Sequence, residues 1–391
     1  MPERISEILP ALHKKIKNSA GLFTGIGVSS GAAGLSLYHC LYGDFYNDQA
    51  SRDMGLNYLY ESFDRLNNGY VSRTIYREIG ELGSWIEIGN RLKYFDFETE
   101  ELLKPFDDII IKQLRSEIVL GNFDPVTGSI GFGYYLANRM RSNGSLGVLL
   151  GEIVASLNLL AYHTNEGAFY KSKLKGDDSI YLGISHGIAG VLNFLIQIAD
   201  HKIVDIDHAL IRKCVNYIKS NKLQHDPLLF PIIVDHENEK EVYPNSWCYG
   251  DPGVAYGLLR SAHYLADDDL LKYVTGLIEV ISKRKYGHPY FEAGPGLLYG
   301  TSGLAMLYYQ MYEMTGQVFL LEAYEYQIGR LISQFDQNDP YLGYKAYWNQ
   351  ELPVTNLGLS DGLVGVALTL MSYSNKEYQK VYRPFFHLQI P

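Results

Sequence analysis

Seven Gly-x-x-Gly steps follow one another along this chain, and each opens an apolar stretch with helical spacing. They begin at Gly31, Gly80, Gly128, Gly187, Gly250, Gly300 and Gly362, at intervals of 49, 48, 59, 63, 50 and 62 residues. Each interval holds two helices of ordinary length with their loops. That is the signature of a repeat protein, whose units cannot bury their apolar faces alone. Two glycines at a helix start let the backbone turn sharply and let neighbouring helices approach. If every repeat turns its chain at the same height, the residues just before each glycine pair form a ring around one centre.

The stretches after the glycines read as buried helices. Val191, Leu192, Phe194, Leu195 and Ile198 follow Gly187, and Leu304, Met306, Leu307, Tyr308 and Met311 follow Gly300. Such i, i+3, i+4 patterns with few charges predict burial on most sides. The segments between them, such as Arg212 to Lys222 and Asp267 to Lys285, are more charged. This alternation predicts an inner layer of apolar helices inside an outer layer of amphipathic ones. A closed ring of such pairs shares one core. With no Pro/Gly/Ser-rich linker in sight, residues 1–391 read as a single domain.

Charge and cysteine content narrow the function. The net charge is -10 and no basic cluster stands out, which argues against nucleic acid as a partner. The N-terminal stretch from Ile5 to Lys17 reads as a short amphipathic helix rather than a secretory signal. Nothing reaches the apolar length needed to span a bilayer. Cys40, Cys214 and Cys248 are too few for a disulfide framework, so a reducing cytoplasm is the expected location.

The ring positions carry the candidate chemistry. Immediately before the glycine pairs stand Ser30, Ile79, Thr127, His186, Tyr249, Tyr299 and Asp361, preceded by Ser29, Glu78, Val126, Ser185, Cys248, Leu298 and Ser360. Helix N-termini around one opening present positive dipole ends and free N–H groups, a setting that favours thiolates, enolates and carboxylates. His186 is the natural proton carrier near neutral pH, against a bland reading as a hydrogen-bonded helix-start histidine. Asp124, before Pro125, is either a second acid–base group or a residue that ends a turn or caps a helix. Tyr249 joins His186 and Asp124 as a catalytic candidate. Cys248 is either a buried apolar cysteine or a thiol whose pKa falls at a helix N-terminus.

At these positions the chain resembles the LanC-type lanthionine cyclases, which close thioether rings in lanthipeptides. Asp124 with Gly128 and Gly131 matches the family's Asp-x-x-x-Gly-x-x-Gly step. Ser185-His186-Gly187-Ile188-Ala189-Gly190 is similar to the family's catalytic histidine motif. Trp247-Cys248-Tyr249-Gly250-Asp251-Pro252-Gly253 is similar to the segment that carries the first zinc ligand. The resemblance covers the whole chain and implies an all-α, double-layered (α/α)7 toroid of seven inner and seven outer helices. It also implies that Asp124 and His186 carry acid–base work on a dehydrated precursor peptide. A lanthipeptide dehydratase and a transporter are the further partners it implies.

In that family two cysteines and one histidine hold a zinc ion that binds the substrate thiolate. Here Cys248 is the only family ligand retained. Leu298 and Tyr299 stand where a cysteine and a histidine belong, and Pro244 stands in place of the family's arginine. No cofactor is expected, and zinc could return only if His288 and Glu292 rebuilt the site. A zinc-free cyclase is therefore the leading reading. The alternatives are a non-catalytic homologue that binds a peptide or modification partner, and a sugar-processing α/α toroid needing paired carboxylates, for which Glu78 and Asp361 are the candidates.

Overall fold

The computed structural model describes residues 1–173, 178–224, 227–234, 245–285, 287, 294–346 and 353–390. Seven helices form an inner ring: α2 (Ala32–Tyr46), α4 (Ile75–Arg91), α7 (Ser129–Arg139), α9 (Ile188–Asp200), α11 (Asp251–Tyr264), α13 (Thr301–Thr315) and α15 (Leu363–Ser374). Each packs against the next, and α15 packs against α2, so the ring closes. Outside it lie α1 (Pro2–Asn18), α3 (Gln49–Asn67), α6 (Lys104–Leu120), α8 (Gly147–Leu160), α10 (His208–Ser220), α12 (Asp268–Ser282) and α14 (Val318–Gln334). Two short helices, α5 (Thr99–Leu102) and α16 (Glu377–Tyr382), four 3-10 turns and two small antiparallel strand pairs complete the described regular structure. The all-α toroid expected from the glycine periodicity is the observed architecture. Among the described residues no helix is long and apolar enough to cross a membrane.

The two layers differ as their sequences require. In α12 the buried positions Leu270, Val274, Leu277, Ile278 and Ile281 share one stripe, and α1 buries Ile5, Ile8, Leu9, Leu12 and Ile16 in the same manner. Each such side chain contributes about 1.5–3 kcal/mol of gross transfer free energy, before the entropy of ordering the chain is set against it. In α9 every residue from Ile188 to Ile198 is buried, because neighbours cover that helix on all sides. One charged cluster also lies inside. The Arg139 guanidinium, fully buried, donates to Asp107 at 3.0 and 2.6 Å and to Glu87 at 2.5 Å, and Tyr135 donates to Asp107 at 2.6 Å. These bonds tie α4, α6 and α7 together. Removing either partner would leave a buried charge uncompensated.

The first glycine of six steps is the N-cap of an inner helix. At Gly31 the backbone has φ -117° and ψ -172°, extended geometry open to any residue, so space rather than conformation demands glycine there. The second glycine shows the same need. A β-carbon at Gly34, Gly190, Gly253, Gly303 or Gly365 would overlap the carbonyl oxygen of Val28, Ile184, Trp247, Leu297 or Leu359 respectively, in each case six residues upstream. The loop thus folds back over the helix start, and only a bare α-carbon fits beneath it.

The second step departs from the expected pattern. Helix α4 begins at Ile75, so Gly80 and Gly83 lie within it rather than at its start. Two carboxylates on α4 explain the difference. Glu78 accepts from the N–H groups of Ile26 and Gly27 and from the hydroxyls of Tyr70, Ser72 and Thr74. Glu81 accepts from Val28 N–H, Ser29 N–H and the Ser29 hydroxyl. Both organise the loop ahead of α2, and α4 has to start early to carry them. Gly83 serves instead to admit Tyr135, whose Cε2 would meet a β-carbon there at 2.7 Å.

At the opposite end of the ring the C-terminal segment enters the toroid. The His387 carbonyl accepts from Asn193 at 2.7 Å and Gln197 at 3.0 Å, and the Leu388 carbonyl accepts from Gln310 at 3.1 Å and Tyr256 at 3.3 Å. Three inner helices thereby hold one strand of chain by its backbone.

Glycine substitutions test this account. Gly253→Ala should lower unfolding free energy by about 3 kcal/mol, the cost of overpacking at a rigid contact. Gly276→Ala, in α12 with nothing within 4 Å of the added methyl, should raise it by about 0.5–1 kcal/mol through helix propensity. Urea denaturation of both variants beside the parent chain would check the opposite signs.

Candidate functional site

The loops that precede the inner helices join in a hydrogen-bonded collar. Ser185 N–H donates to Cys248 O, the Trp247 indole to Leu297 O, Leu298 N–H to Ser360 O, and Leu359 N–H to Ser29 O. Inside the collar lies a cavity of about 420 Å³. Its upper lining includes Ser29, Ser185, His186, Tyr299, Ser360 and Asp361, and its lower lining includes Tyr134 and the C-terminal residues Phe386 and His387. The ring positions therefore converge at one end, apart from those of the second repeat, which α4 absorbs.

Asp124 and His186, 62 residues apart, meet there: His186 Nδ1 lies 2.7 Å from Asp124 Oδ2. The other carboxylate oxygen accepts from Val126 N–H at 2.9 Å, Thr127 N–H at 2.7 Å and the Thr127 hydroxyl at 3.0 Å. Burial alone would favour the neutral acid. The hydrogen bond and charge of His186 and the N–H groups of Thr127 and Val126 outweigh it and hold this carboxyl below its usual range. Asp124 is thus a fixed, charged partner, and His186 is the member of the pair that faces the cavity.

Tyr249 lies beside this pair, its ring 5.3 Å from that of His186 and stacked on Tyr299 at 6.0 Å. Burial raises both phenols, with the nearby Cys248 adding to it, so each remains protonated at neutral pH. Cys248 is fully buried, with Sγ 3.0 Å from the Ser246 hydroxyl. The expectation that a helix N-terminus lowers its pKa is overturned. Burial pushes the thiol up to about 12, with Asp361 adding to the shift, and the hydroxyls of Ser246 and Ser185 only partly offset it. Desolvation here is larger than the dipole effect.

Zinc finds a poor donor set in the described residues. Leu298 and Tyr299 line the cavity, and no three His, Cys, Asp or Glu side chains of the described residues converge as a ligand group. His288, Glu292 and Pro244 lie outside the described residues. Of the two carboxylates needed for sugar chemistry, Glu78 is taken up by the loop ahead of α2, while Asp361 lines the cavity.

Two lining residues escaped the sequence reading. Arg77, in the first turn of α4, lies 3.1 Å from Glu81 and is the one Lys or Arg among the described residues of the cavity wall. His387 lies at the cavity floor, its ring stacked on Tyr134 at 4.4 Å and 1°. Neither precedes a glycine pair, so the repeat offers no signal for them.

A ring of seven inner and seven outer helices around one cavity, with a histidine–aspartate pair in its collar, defines the class of protein. A family model described as lanthionine synthetase C-like protein matches residues 23–387, and the chain belongs to that family. Among solved structures it is similar to nisin cyclase, with a TM-score of 0.72 and 17% identity over 99% of this chain and 97% of that one, a likeness in fold. Among curated proteins it is similar to the glutathione S-transferase LANCL1 of Danio rerio, at 27% identity over 135 residues. That match covers 34% of this chain and 31% of the relative, so it spans about a third of the relative's length.

The lowered Asp124 carboxyl has a consequence for stability. A carboxyl whose pKa drops on folding stabilises the fold above its unfolded value, near 3.9, and loses that contribution as pH falls through the folded value. Asp124→Asn should therefore cost about 1–3 kcal/mol at pH 7, the range for disturbing buried hydrogen bonds. The gap to the parent chain should close once pH drops below about 4. Chemical denaturation at pH 7 and at successively lower pH would measure it; a gap that stays constant would contradict the assignment.

Proposed function

We propose that this protein is a lanthionine cyclase that works without the usual zinc. It adds cysteine thiols to dehydrated serine or threonine residues within one precursor peptide. The His186–Asp124 pair at the edge of the central cavity, in a chain of the lanthionine synthetase C-like family, is the observation that carries this reading. The cavity brings thiol and alkene of the same peptide together, which replaces a bimolecular encounter by an oriented one. His186 is the proton-transfer group. Asp124 fixes its ring and supports positive charge as it develops there. The positive dipole ends of the inner helices offset negative charge on the enolate that follows addition. Tyr249, protonated beside His186, is a further donor in the same region.

Zinc is absent from this scheme because Cys248 alone remains of the family's ligands and is sealed from the cavity. The peptide's cysteine arrives as a thiol, and an upstream dehydration, by a dehydratase acting on the same peptide, has to supply the alkene. A transporter for the finished peptide is the other partner of this scheme. The three buried, free cysteines suit a reducing cytoplasm. The missing ligands also favour a second reading, a homologue that keeps the toroid and binds a peptide or modification partner without turning it over.

Two measurements decide between these readings and test the zinc statement. Incubation with a dehydrated, cysteine-containing precursor peptide should consume free thiols at unchanged peptide mass, and a strong chelator should leave the rate unaltered. Thiols that persist, with the peptide nonetheless bound, would favour the non-catalytic reading. Elemental analysis should find no stoichiometric zinc. One zinc per chain that disappears in Cys248→Ser would show that a ligand set including Cys248 has been rebuilt.

A further inference from the structure

The floor of the cavity includes a residue held on two sides, by its backbone and by its ring. His387 adopts φ +60°, a left-handed conformation that non-glycine residues seldom take and that recurs where surroundings over-determine a side chain. Its carbonyl is gripped by Asn193 and Gln197, both buried on α9, and its ring lies flat on Tyr134 of α7. The imidazole makes no hydrogen bond with the described residues. It borders the cavity that His186 borders from above. A fixed aromatic platform, a clamped backbone and an unengaged imidazole are what a positioned proton acceptor needs.

We propose that His387 is the base that takes the proton from the substrate thiol, leaving His186 to deliver a proton to carbon. This rests on the cyclase reading above and divides its acid–base work between two histidines. The S–H bond breaks as its proton passes to His387, and the sulfur lone pair forms the bond to the alkene β-carbon. The alkene π pair moves toward the neighbouring carbonyl as an enolate, and His186 then gives a proton to the α-carbon. One hydrogen has moved from sulfur to carbon, and the proton left on His387 returns to His186 through solvent before the next turnover.

The environments of the two rings suit these roles. Asp124 stands 2.7 Å from His186 and supports positive charge there. Among the described residues no carboxylate hydrogen-bonds to the His387 ring. Burial holds its pKa down to about 4, with the positive charge of Arg77 adding to this and the more distant Asp124 opposing it. At neutral pH its imidazole is therefore uncharged and able to accept. Two titratable groups in one site with such unlike surroundings are the usual mark of separate acid and base roles.

The test uses the full-length protein and a synthetic peptide with one dehydroalanine and one cysteine joined by a short glycine spacer. His387→Phe keeps the stack on Tyr134 and removes both nitrogens, and His387→Gln keeps a polar group. Both should lose about 10²-fold or more in kcat, with KM within about twofold and melting temperature unchanged. Parental kcat in His387→Phe would overturn the proposal. A second readout in the parent protein needs neither turnover nor a stable variant: carbethoxylation of His387 by diethylpyrocarbonate, followed by peptide mass spectrometry. The cysteine peptide should protect His387 and its serine counterpart should not. Equal protection, no protection, or a His387 that never reacts would each overturn the proposal. A parent protein that cyclises nothing would sink the cyclase reading, and the footprint alone would then decide whether His387 meets a thiol.

Discussion

At the head of every inner helix but one, a carbonyl oxygen from six residues upstream lies against the second glycine, where a methyl would have to be. The rest of the molecule follows from that contact. It forces each loop to fold back over its own helix and carries the residues before the first glycine to the inner rim. Their amides and carbonyls then lie within reach of the next loop, and the collar forms from Ser185 to Cys248, Trp247 to Leu297, Leu298 to Ser360 and Leu359 to Ser29. Close packing makes such an arrangement all or none, since an interior at crystal-like density does not stretch to admit one more carbon. His186 meets Asp124 because two neighbouring loops obey the same steric rule.

Helix α4 breaks the rule, and the break gives the cavity its polarity. Starting early, it turns Arg77, Gly80, Glu81 and Ser84 to the cavity wall in place of a loop. A cation in the first turn of a helix works against the helix dipole, and an Arg preceding Glu by four residues is the weaker orientation of that pair. Arg77 is placed at some electrostatic disadvantage, then, and its charge is felt at His387 across the cavity. Arg77 and its ion-pair partner Glu81 share one wall, and the Asp124 carboxylate stands behind His186 in the collar.

The sequence makes the toroid legible because glycine spacing reports a steric need that recurs in every repeat. It makes Asp124 and His186 legible because both stand at fixed offsets from those glycines. Gly80 and Gly83 mislead for a physical reason: the same pattern there accommodates Tyr135 and not a folded-back loop. Glu78 has the look of a ring carboxylate and is instead an acceptor for two backbone amides and three hydroxyls. His387 is illegible from local pattern altogether. Its place is set by carboxamides on α9 and α13 and by a tyrosine on α7, residues with nothing in common along the chain. Contacts that depend on ring closure leave no periodic trace.

The weighing of dipole against burial explains why a ring of helix N-termini activates some groups and not others. Asp124 gains from it: two N–H groups, a hydroxyl and an imidazole meet its oxygens, and its charge survives at a buried site. Cys248 stands at the same height on a neighbouring repeat, yet its sulfur meets hydroxyls and apolar atoms, with the Asp361 charge nearby, and stays protonated. A helix terminus contributes at most a kcal/mol or so to a charge near it, whereas desolvating a thiolate costs several times that. The positive ends can therefore assist a charge only when direct donors complete its solvation. For a resident thiol sealed behind the collar they do not. For a charge that forms inside the cavity they do so only where such donors stand beside it, as the N–H groups of Val126 and Thr127 stand beside Asp124.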